Sequence, residues 1–265
     1  KVKPKKLLFS HLRGQSFRSL AEEHNFSPTT AFRYCRTALK QIPYCSDLTR
    51  FYCTRFCGIL LVDGKYIAVK GYDKKIPVLY GIDYLTHDIP AFILSVGENY
   101  QTCHTFFKSL RLLNYPVQAV VSDDNVNIYQ AATSIYPQVI TQICQNHYKE
   151  GIRRILGVRT DETHQPFMTE VEDMFHRRCD EFEFNHYAQK VYLKYQTNDI
   201  YKNILLDIQK RLPMLLAYNR LPNVPRTTNL IESYNSHLEG RLKTIKGFES
   251  FTRADSWLNG YFVRR

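Results

Sequence analysis

The chain has 265 residues, 44% of them hydrophobic, and a formal net charge of +11 at pH 7. This size allows a large core in one domain or in two to three smaller ones. No run approaches 18 consecutive apolar residues, which excludes a membrane-spanning helix. Seven cysteines without a dense framework predict free thiols or a metal site in a reducing compartment, not a disulfide scaffold.

The positive charge is concentrated towards the two ends of the chain. Residues 1–58 carry 11 Lys and Arg against 3 Asp and Glu, a net charge of +8. Residues 211–265 have a net charge of +5, whereas residues 59–210 have a net charge of −2. This distribution favours a nucleic acid partner over a membrane surface, although an ordinary basic protein has a similar net charge.

Two short helices joined by a tight turn are predicted within residues 16–39. The first has an apolar face that stops at His24, and Ser27 and Pro28 then suit the N-cap and first position of the second. A basic second helix after such a turn is typical of a DNA-binding helix-turn-helix; a plain helical hairpin is the alternative. The side chains expected to face outward are Thr29, Thr30, Arg33, Tyr34 and Arg36.

A carboxylate interrupts the apolar run of residues 59–69, which otherwise predicts a buried strand. Burying an ionised Asp63 there is costly unless a cation compensates its charge. We therefore expect Asp63 to be a metal ligand in the middle of the first strand of a sheet. The alternative is a hairpin turn at Asp63-Gly64, since Asp-Gly between apolar runs is a strong hairpin signal.

The following residues predict a three-strand meander and then alternating helices and strands, which indicates an α/β fold with a mixed sheet. Asp123 and Asp124 come directly after a buried strand, where open α/β sheets place their sites. The predicted strands are residues 59–69, 77–84, 89–96, 117–122 and 139–143, and the predicted helices are residues 102–113 and 125–135.

The strand signal disappears from residue 147 to about residue 220, where helical spacings predict an all-helical insertion. A later helix begins after Thr227 or Thr228. Glu232 lies off its apolar stripe and is free to face a cleft. The predicted stripe consists of Leu230, Tyr234, Leu238 and Leu242.

Three carboxylates thus have suitable settings for one site: Asp63, Asp123 and Glu232. They would repel one another without a counter-ion, and Mg²⁺, with Mn²⁺ as an alternative, prefers such oxygen ligands. A pair of these ions supports phosphoryl transfer on a phosphodiester. Asp124 is the alternative to Asp123. Asp161 and Glu162 are weaker alternatives to Glu232, because their stretch is polar and lacks apolar periodicity.

Taken together and in order, four short motifs followed by Arg241 resemble the DDE transposases of the Mutator-like bacterial insertion-sequence group. The resemblance covers approximately residues 59–157 and 218–265. It implies a ribonuclease H-like catalytic core, interrupted by a helical insertion before the catalytic Glu. The motifs are Val62-Asp63-Gly64, Val121-Ser122-Asp123, Cys144-Gln145-Asn146-His147 and Thr228-Asn229-Leu230-Ile231-Glu232-Ser233-Tyr234-Asn235.

The resemblance implies a DNA transposase that uses Mg²⁺ to cleave the ends of a mobile element and to transfer the freed 3′-OH into target DNA. Its catalytic and metal-binding residues would be Asp63, Asp123 and Glu232. A catalytically silent DNA-binding derivative and a nuclease with the same core are the alternatives. The expected regions are a helix-turn-helix over residues 1–45, the first part of the core over 46–157, the insertion over 158–217 and the last part of the core over 218–265.

The expected partners are the terminal inverted repeats of the element and the target DNA, in a cytoplasmic, DNA-associated protein without membrane contact. Joining two DNA ends in concert predicts at least a dimer. Some late basic residues are candidates for backbone contacts, although a solvated helix face explains them equally well. These candidates are Arg226, Arg241, Lys243 and Lys246.

Four residues of the motifs have no assigned role: Cys144, His147, Asn229 and Asn235. Cys144-x2-His147 has the spacing of half a zinc site, but no second pair with matching spacing exists in the sequence. We therefore expect this pair to pack beside the active site.

Overall fold

The computed structural model describes residues 3–264, in which five strands form one mixed sheet. The sheet order is β3-β2-β1-β4-β5; β2 runs antiparallel to β1 and β3, and β4 runs parallel to β1 and β5. The predicted α/β class is thus confirmed. The strands are β1 (Ile59–Ile67), β2 (Ile76–Asp83), β3 (Phe92–Leu94), β4 (Ala119–Ser122) and β5 (Ile140–Ile143).

Four helices precede the sheet: α1 (Pro4–Leu12), α2 (Phe17–His24), α3 (Pro28–Leu39) and α4 (Cys45–Tyr52). The two helices predicted near the start of the chain are α2 and α3. Ser27 caps α3 as predicted, since its side chain accepts a hydrogen bond from the Thr30 N–H. The sequence interpretation did not include α1, which buries three leucines and packs against α3.

The remaining helices follow the strands. Two lie between strands: α5 (Tyr100–Leu112) and α6 (Val126–Ile135). Four follow β5 without an intervening strand, as the insertion predicts: α7 (Gln145–Leu156), α8 (Gln165–Met174), α9 (Glu181–Tyr195) and α10 (Asp199–Leu215). The last two described are α11 (Asn229–Ile245) and α12 (Phe251–Val263). None of the described helices is long and apolar enough to cross a membrane.

Side-chain alternation along β1 decides which way Asp63 faces. Leu60 packs with Phe106 of α5 in the core on one face of the sheet. Leu61 belongs to the core on the opposite face, which includes Leu238 of α11. Because successive strand residues point to opposite faces, Asp63 shares the face of Leu61 and is directed towards α11.

Two predicted elements differ from the observed ones. Strand β3 is shorter than residues 89–96, since Pro90 has no N–H to donate to the sheet. On α11 the four residues of the predicted stripe all contact the core, but Leu230 and Leu242 are only half-buried. The buried residues of α11 are Ile231, Tyr234, Asn235 and Leu238. The helix is therefore rotated so that the polar Asn235 faces the sheet.

Candidate active site

Asp63 lies in the middle of β1, where it pairs in register with Tyr80 of β2. The strand continues to Ile67, and the chain turns later, around Gly71. The hairpin-turn alternative at Asp63-Gly64 is therefore wrong.

A buried hydrogen-bond chain fixes the Asp63 carboxylate. Its Oδ2 accepts a 2.6 Å hydrogen bond from Nδ2 of Asn235 on α11, and its Oδ1 accepts one from the Gly64 N–H. Asn235 Oδ1 in turn accepts a 2.6 Å hydrogen bond from the hydroxyl of the buried Tyr80. The side-chain amide of Asn235 thus orients the carboxylate from the opposite wall of the cleft.

Asp123 directly follows β4, the parallel neighbour of β1. The ladder pairs Ile59 with Ala119 and Leu61 with Val121. The pairing ends there, two residues before Asp63 and Asp123 on their respective strands. The two acids lie near enough for the charge of Asp123 to raise the pKa of Asp63.

The surroundings of the two carboxylates raise the pKa of each. The pKa of Asp63 is raised to about 6, mainly by burial; the charge of Asp123 contributes to the rise, and the hydrogen bond from the Gly64 N–H opposes it. Burial also raises the pKa of Asp123. Both groups therefore hold protons more tightly than free aspartates and would favour a nearby cation.

Asp124 points elsewhere. It forms an ion pair with Arg211 of α10, which also binds Asp207 one turn earlier on the same helix. This pairing neutralises Asp124 on the side of the helical insertion. The arrangement favours Asp123 as the acid of the cleft.

Glu232 stands where the first turns of α7 and α11 meet. The Gln145 N–H donates to the Arg226 carbonyl, and the Asn146 side chain donates to Asn229 Oδ1. These contacts give the motif residue Asn229 a structural partner. Each helix therefore presents its N-terminal side chains to the other.

Thr228, His147 and Cys144 lie around the Glu232 carboxylate. Glu232 Oε1 accepts a 2.6 Å hydrogen bond from Thr228 Oγ1 and lies 3.6 Å from Nε2 of His147. The Thr228 N–H points at Cys144 Sγ over 3.3 Å. Of the two predicted start residues, Thr227 and Thr228, it is Thr228 that occupies the N-cap position of α11; its hydroxyl donates to Glu232 and makes no cap hydrogen bond to the backbone.

His147 is the cationic centre of this group. Its interaction with Cys144 raises the pKa of the imidazole to about 9; burial opposes this rise, while Glu232 and Asp123 add to it. Burial alone would raise the pKa of the Cys144 thiol, but the electrostatic interaction with the nearby His147 and the hydrogen bonds from Thr228 outweigh burial and lower the pKa. The positive imidazole lowers the pKa values of Asp63 and Asp123. It therefore links the two strand acids electrostatically to Glu232.

Within residues 3–264, one group of His, Cys, Asp or Glu side chains has three ligand atoms within 4.8 Å of one another: Cys144, His147 and Glu232. The predicted trio of Asp63, Asp123 and Glu232 is not so closely gathered. Cys144 and His147, which were predicted to pack beside the active site, lie next to Glu232. Their closeness to Glu232 was not foreseen.

Sequence interpretation missed a fourth carboxylate, Glu98, in the loop before α5. It accepts hydrogen bonds from the Tyr66 hydroxyl and from the Asn125 amide. Its charge raises the pKa values of Asp63 and Asp123. A Cβ on Gly64 would lie 2.8 Å from Glu98 Oε2, so the glycine leaves room for this carboxylate. In the sequence, the only feature that marks Glu98 is its position in a loop just before the N-cap residue of α5.

The weaker alternatives to Glu232 lie away from the strand acids. Glu162 is exposed in a short 3-10 turn of the helical insertion, and Asp161 caps that turn by accepting a hydrogen bond from the Thr163 N–H. The structure thus gives these two acids a local role at the surface.

The residues predicted to contact DNA differ in their exposure and in whether they already bind other residues of the chain. On α3, Thr29, Arg33, Tyr34 and Arg36 are exposed, whereas Thr30 is half-buried. The late basic residues are partly engaged within the chain. Arg226 donates to the Phe175 carbonyl, Lys243 pairs with Glu239, and Arg241 lies over Gly14 in the turn between α1 and α2.

The fold and the site define an α/β protein with one acid in the central strand of a mixed sheet, a second directly after the neighbouring strand and a third on a late helix. Residues 54–254 match the family model described as Transposase, Mutator family. Because this match covers most of the chain, the protein belongs to the Mutator family of transposases, which confirms the resemblance found in the sequence. Membership makes transposition its broad functional class and DNA its implied partner. A search of curated proteins found no match.

Proposed function

We propose that this chain is a DDE transposase, which cleaves DNA at the ends of a mobile element and joins the freed 3′-OH to target DNA. The observation that carries the proposal is the proximity of Asp63 and Asp123. Asp63 lies in β1 and Asp123 directly follows β4, the parallel neighbour of β1; both carboxylates have a raised pKa, and the charge of Asp123 contributes to that of Asp63. In a Mutator family transposase, such a pair is best explained as part of a site for divalent cations.

The chemistry of the donor set fits Mg²⁺ or Mn²⁺. Asp63 and Asp123 supply hard carboxylate oxygens in a half-buried setting where a cation would relieve their repulsion. With Glu232 as the third acid, these residues would hold the metal, which would polarise the phosphodiester and lower the pKa of an attacking water.

The surrounding residues prepare the acids for this role. Asn235 fixes the orientation of Asp63 through its amide, and Thr228 holds Glu232 through its hydroxyl. The imidazole of His147 holds a proton 3.6 Å from Glu232, which limits repulsion among the acids before a cation binds. Such preorganisation reduces the reorganisation that the reaction requires.

We also propose the finer description of the fold. The strand order 3-2-1-4-5, with an antiparallel meander followed by two parallel strands, supports a ribonuclease H-like core. Residues 46–157 and 218–265 would form its two parts, with the helices of residues 158–217 inserted before the Glu232 helix. The family match begins at residue 54, after α3, which supports a separate N-terminal region over residues 1–45.

This N-terminal region would bind the terminal repeats of the element through α3. Arg33 and Arg36 are exposed on that helix, as a DNA-facing surface requires. A transposase that joins two DNA ends in concert needs at least two copies of its site, so we propose a dimer or larger assembly on DNA.

The test compares variants in Mg²⁺-dependent nicking and strand transfer on terminal-repeat DNA. We expect Asp63→Asn, Asp123→Asn and Glu232→Gln each to lose at least about 100-fold in rate, the equivalent of about 3 kcal/mol. The matched controls are Asp124→Asn, which alters the neighbour of Asp123, and Glu239→Gln, which alters another acid on α11. Both controls should stay within a few-fold of the parent.

The products separate the competing functions. Covalent joining of the element end to target DNA supports a transposase, whereas cleavage without joining indicates a nuclease. Retained DNA binding, with no cleavage by the parent protein, would indicate a catalytically silent derivative. Loss of activity in Asp124→Asn but not in Asp123→Asn would move the second acid to Asp124.

A further inference from the structure

Cys144, His147 and Glu232 form a compact donor group that the proposed Mg²⁺ chemistry does not explain. Their ligand atoms lie within 4.8 Å of one another, although the residues come from two different helices. Cys144 is the N-cap residue of α7, and His147 lies in the first turn of that helix. Glu232 lies in the first turn of α11.

The bonding of these side chains is incomplete within the described part of the chain. His147 Nδ1 is buried and has no hydrogen-bond partner there. A buried polar nitrogen in this state calls for an explanation such as a bound ion or water. Cys144 is completely buried, and the Thr228 N–H donates a hydrogen bond to its sulfur. An imidazole nitrogen without a partner, close to a buried cysteine sulfur, is a pairing that a soft cation satisfies.

We propose that Cys144, His147 and Glu232 bind one Zn²⁺ ion, with the fourth position open to a water molecule. Binding displaces to solvent the proton that the imidazole holds in the free protein and the proton of the thiol. Sulfur, imidazole nitrogen and carboxylate oxygen are the three ligand types of zinc sites, and three protein ligands with an open position suit its tetrahedral geometry. Mg²⁺ prefers an all-oxygen octahedron and would not select this group. The Thr228 N–H and hydroxyl support the sulfur and the carboxylate from outside the site.

The shared glutamate gives this site a consequence that rests on the proposed function. Glu232 cannot serve a zinc ion beside Cys144 and also remain fully available to Asp63 and Asp123. Zinc binding therefore competes with the Mg²⁺-dependent reaction, and micromolar zinc would act as an inhibitor of the transposase.

The binding test uses Co²⁺ as an optically visible substitute for Zn²⁺ on the full chain without DNA. We expect one equivalent of Co²⁺ to give a near-ultraviolet thiolate-to-cobalt charge-transfer band and intense visible bands of tetrahedral cobalt. Stoichiometric Zn²⁺ should bleach both. This readout does not depend on catalysis. Cobalt binding can therefore be absent in an active transposase, and it can be present in a protein that proves not to be a transposase.

Two variants and one control make the test specific. Cys144→Ser should abolish the charge-transfer band, and Glu232→Gln should retain the band but weaken Co²⁺ binding. For Cys144→Ser we expect a larger loss of affinity than the roughly 10- to 100-fold typical of an outer-shell change. Cys103→Ser, which alters a fully buried cysteine of the other core, should behave as the parent. Circular dichroism checks that each variant is folded.

The proposal is overturned if the folded parent gives no thiolate band at one equivalent of Co²⁺, or if the band survives in folded Cys144→Ser. Competition is tested by titrating Zn²⁺ into the Mg²⁺-dependent nicking reaction, with each variant compared with its own zinc-free rate. Inhibition of the parent that is relieved by a chelator and lost in Cys144→Ser supports it. Zinc binding without inhibition would overturn the competition.

Discussion

Asn235 Nδ2 donates a 2.6 Å hydrogen bond to Asp63 Oδ2 and so joins the Glu232 helix to the middle of β1. The same amide accepts a hydrogen bond from Tyr80 on the neighbouring strand. A single side chain thus connects two strands and a helix around one carboxylate. This makes Asn235 a positioning residue for the candidate site.

We expect Asn235→Ala to lower the free energy of unfolding by about 1–3 kcal/mol, since two buried hydrogen bonds are lost. The affinity for Mn²⁺ should fall roughly 10- to 100-fold, as for the loss of an outer-shell partner of a metal ligand. Urea unfolding and calorimetric Mn²⁺ titration measure these effects. Ser236→Ala, the next residue on the exposed side, should change stability by less than about 0.5 kcal/mol. Unchanged Mn²⁺ affinity in Asn235→Ala would contradict the positioning role.

Asp63 should make stability depend on pH in a defined direction. Its pKa is raised from 3.8 to about 6, so the folded state binds this proton more tightly than the unfolded chain. The resulting penalty is absent below about pH 4, grows as the pH rises and is complete above about pH 6. Asp63→Asn removes this penalty.

Asp63→Asn should therefore gain stability relative to the parent between pH 4 and pH 7.5, by roughly 1–2 kcal/mol after allowance for solvent screening. Urea unfolding of both proteins at several pH values gives this difference in stability. Any stability that the substitution costs equally at every pH cancels when the differences at two pH values are compared. Mg²⁺ should stabilise the parent more than the variant at pH 7.5. A stability difference that is independent of pH would contradict the raised pKa.

Glu98 should influence metal binding through its charge. Its carboxylate raises the pKa values of Asp63 and Asp123, so Glu98→Gln should shift the pH midpoint of Mn²⁺ binding to lower pH. Calorimetric titration between pH 5 and pH 8 measures this midpoint. Glu249→Gln, an exposed acid outside the cleft, is the control. A midpoint that rises or stays constant would exclude an electrostatic role for Glu98.

The exposed basic face of α3 should contact DNA phosphates. Arg33→Ala and Arg36→Ala should each weaken binding to terminal-repeat DNA and reduce the slope of log affinity against log salt by about 1. Fluorescence anisotropy at several salt concentrations measures both quantities. Lys190→Ala, an exposed cation on α9, removes the same charge from the helical insertion and should leave the slope nearly unchanged. Equal effects of the three variants would indicate nonspecific charge instead of a DNA-binding surface on α3.

Local patterns in the sequence were sufficient for the elements that carry the acids. The apolar run around Asp63 and the strand ending before Asp123 were predicted because both runs are short and rich in β-branched residues, which favours a strand over a helix. The N-cap at Ser27 and the all-helical stretch after β5 were predicted for similar local reasons. The four family motifs in order then identified the Mutator resemblance.

Tertiary structure alone decided how these residues meet. Side-chain alternation shows that Asp63 faces one side of its strand, but only the parallel pairing of β1 with β4 brings Asp123 close enough to influence its pKa. Likewise, the zinc-like spacing of Cys144 and His147 lacked further ligands until folding brought Glu232 beside them. Glu98 lies in a loop without periodicity, and Asn235 is buried by the rotation of α11. Such contacts join residues far apart in the chain, and spacing along the sequence carries no information about them.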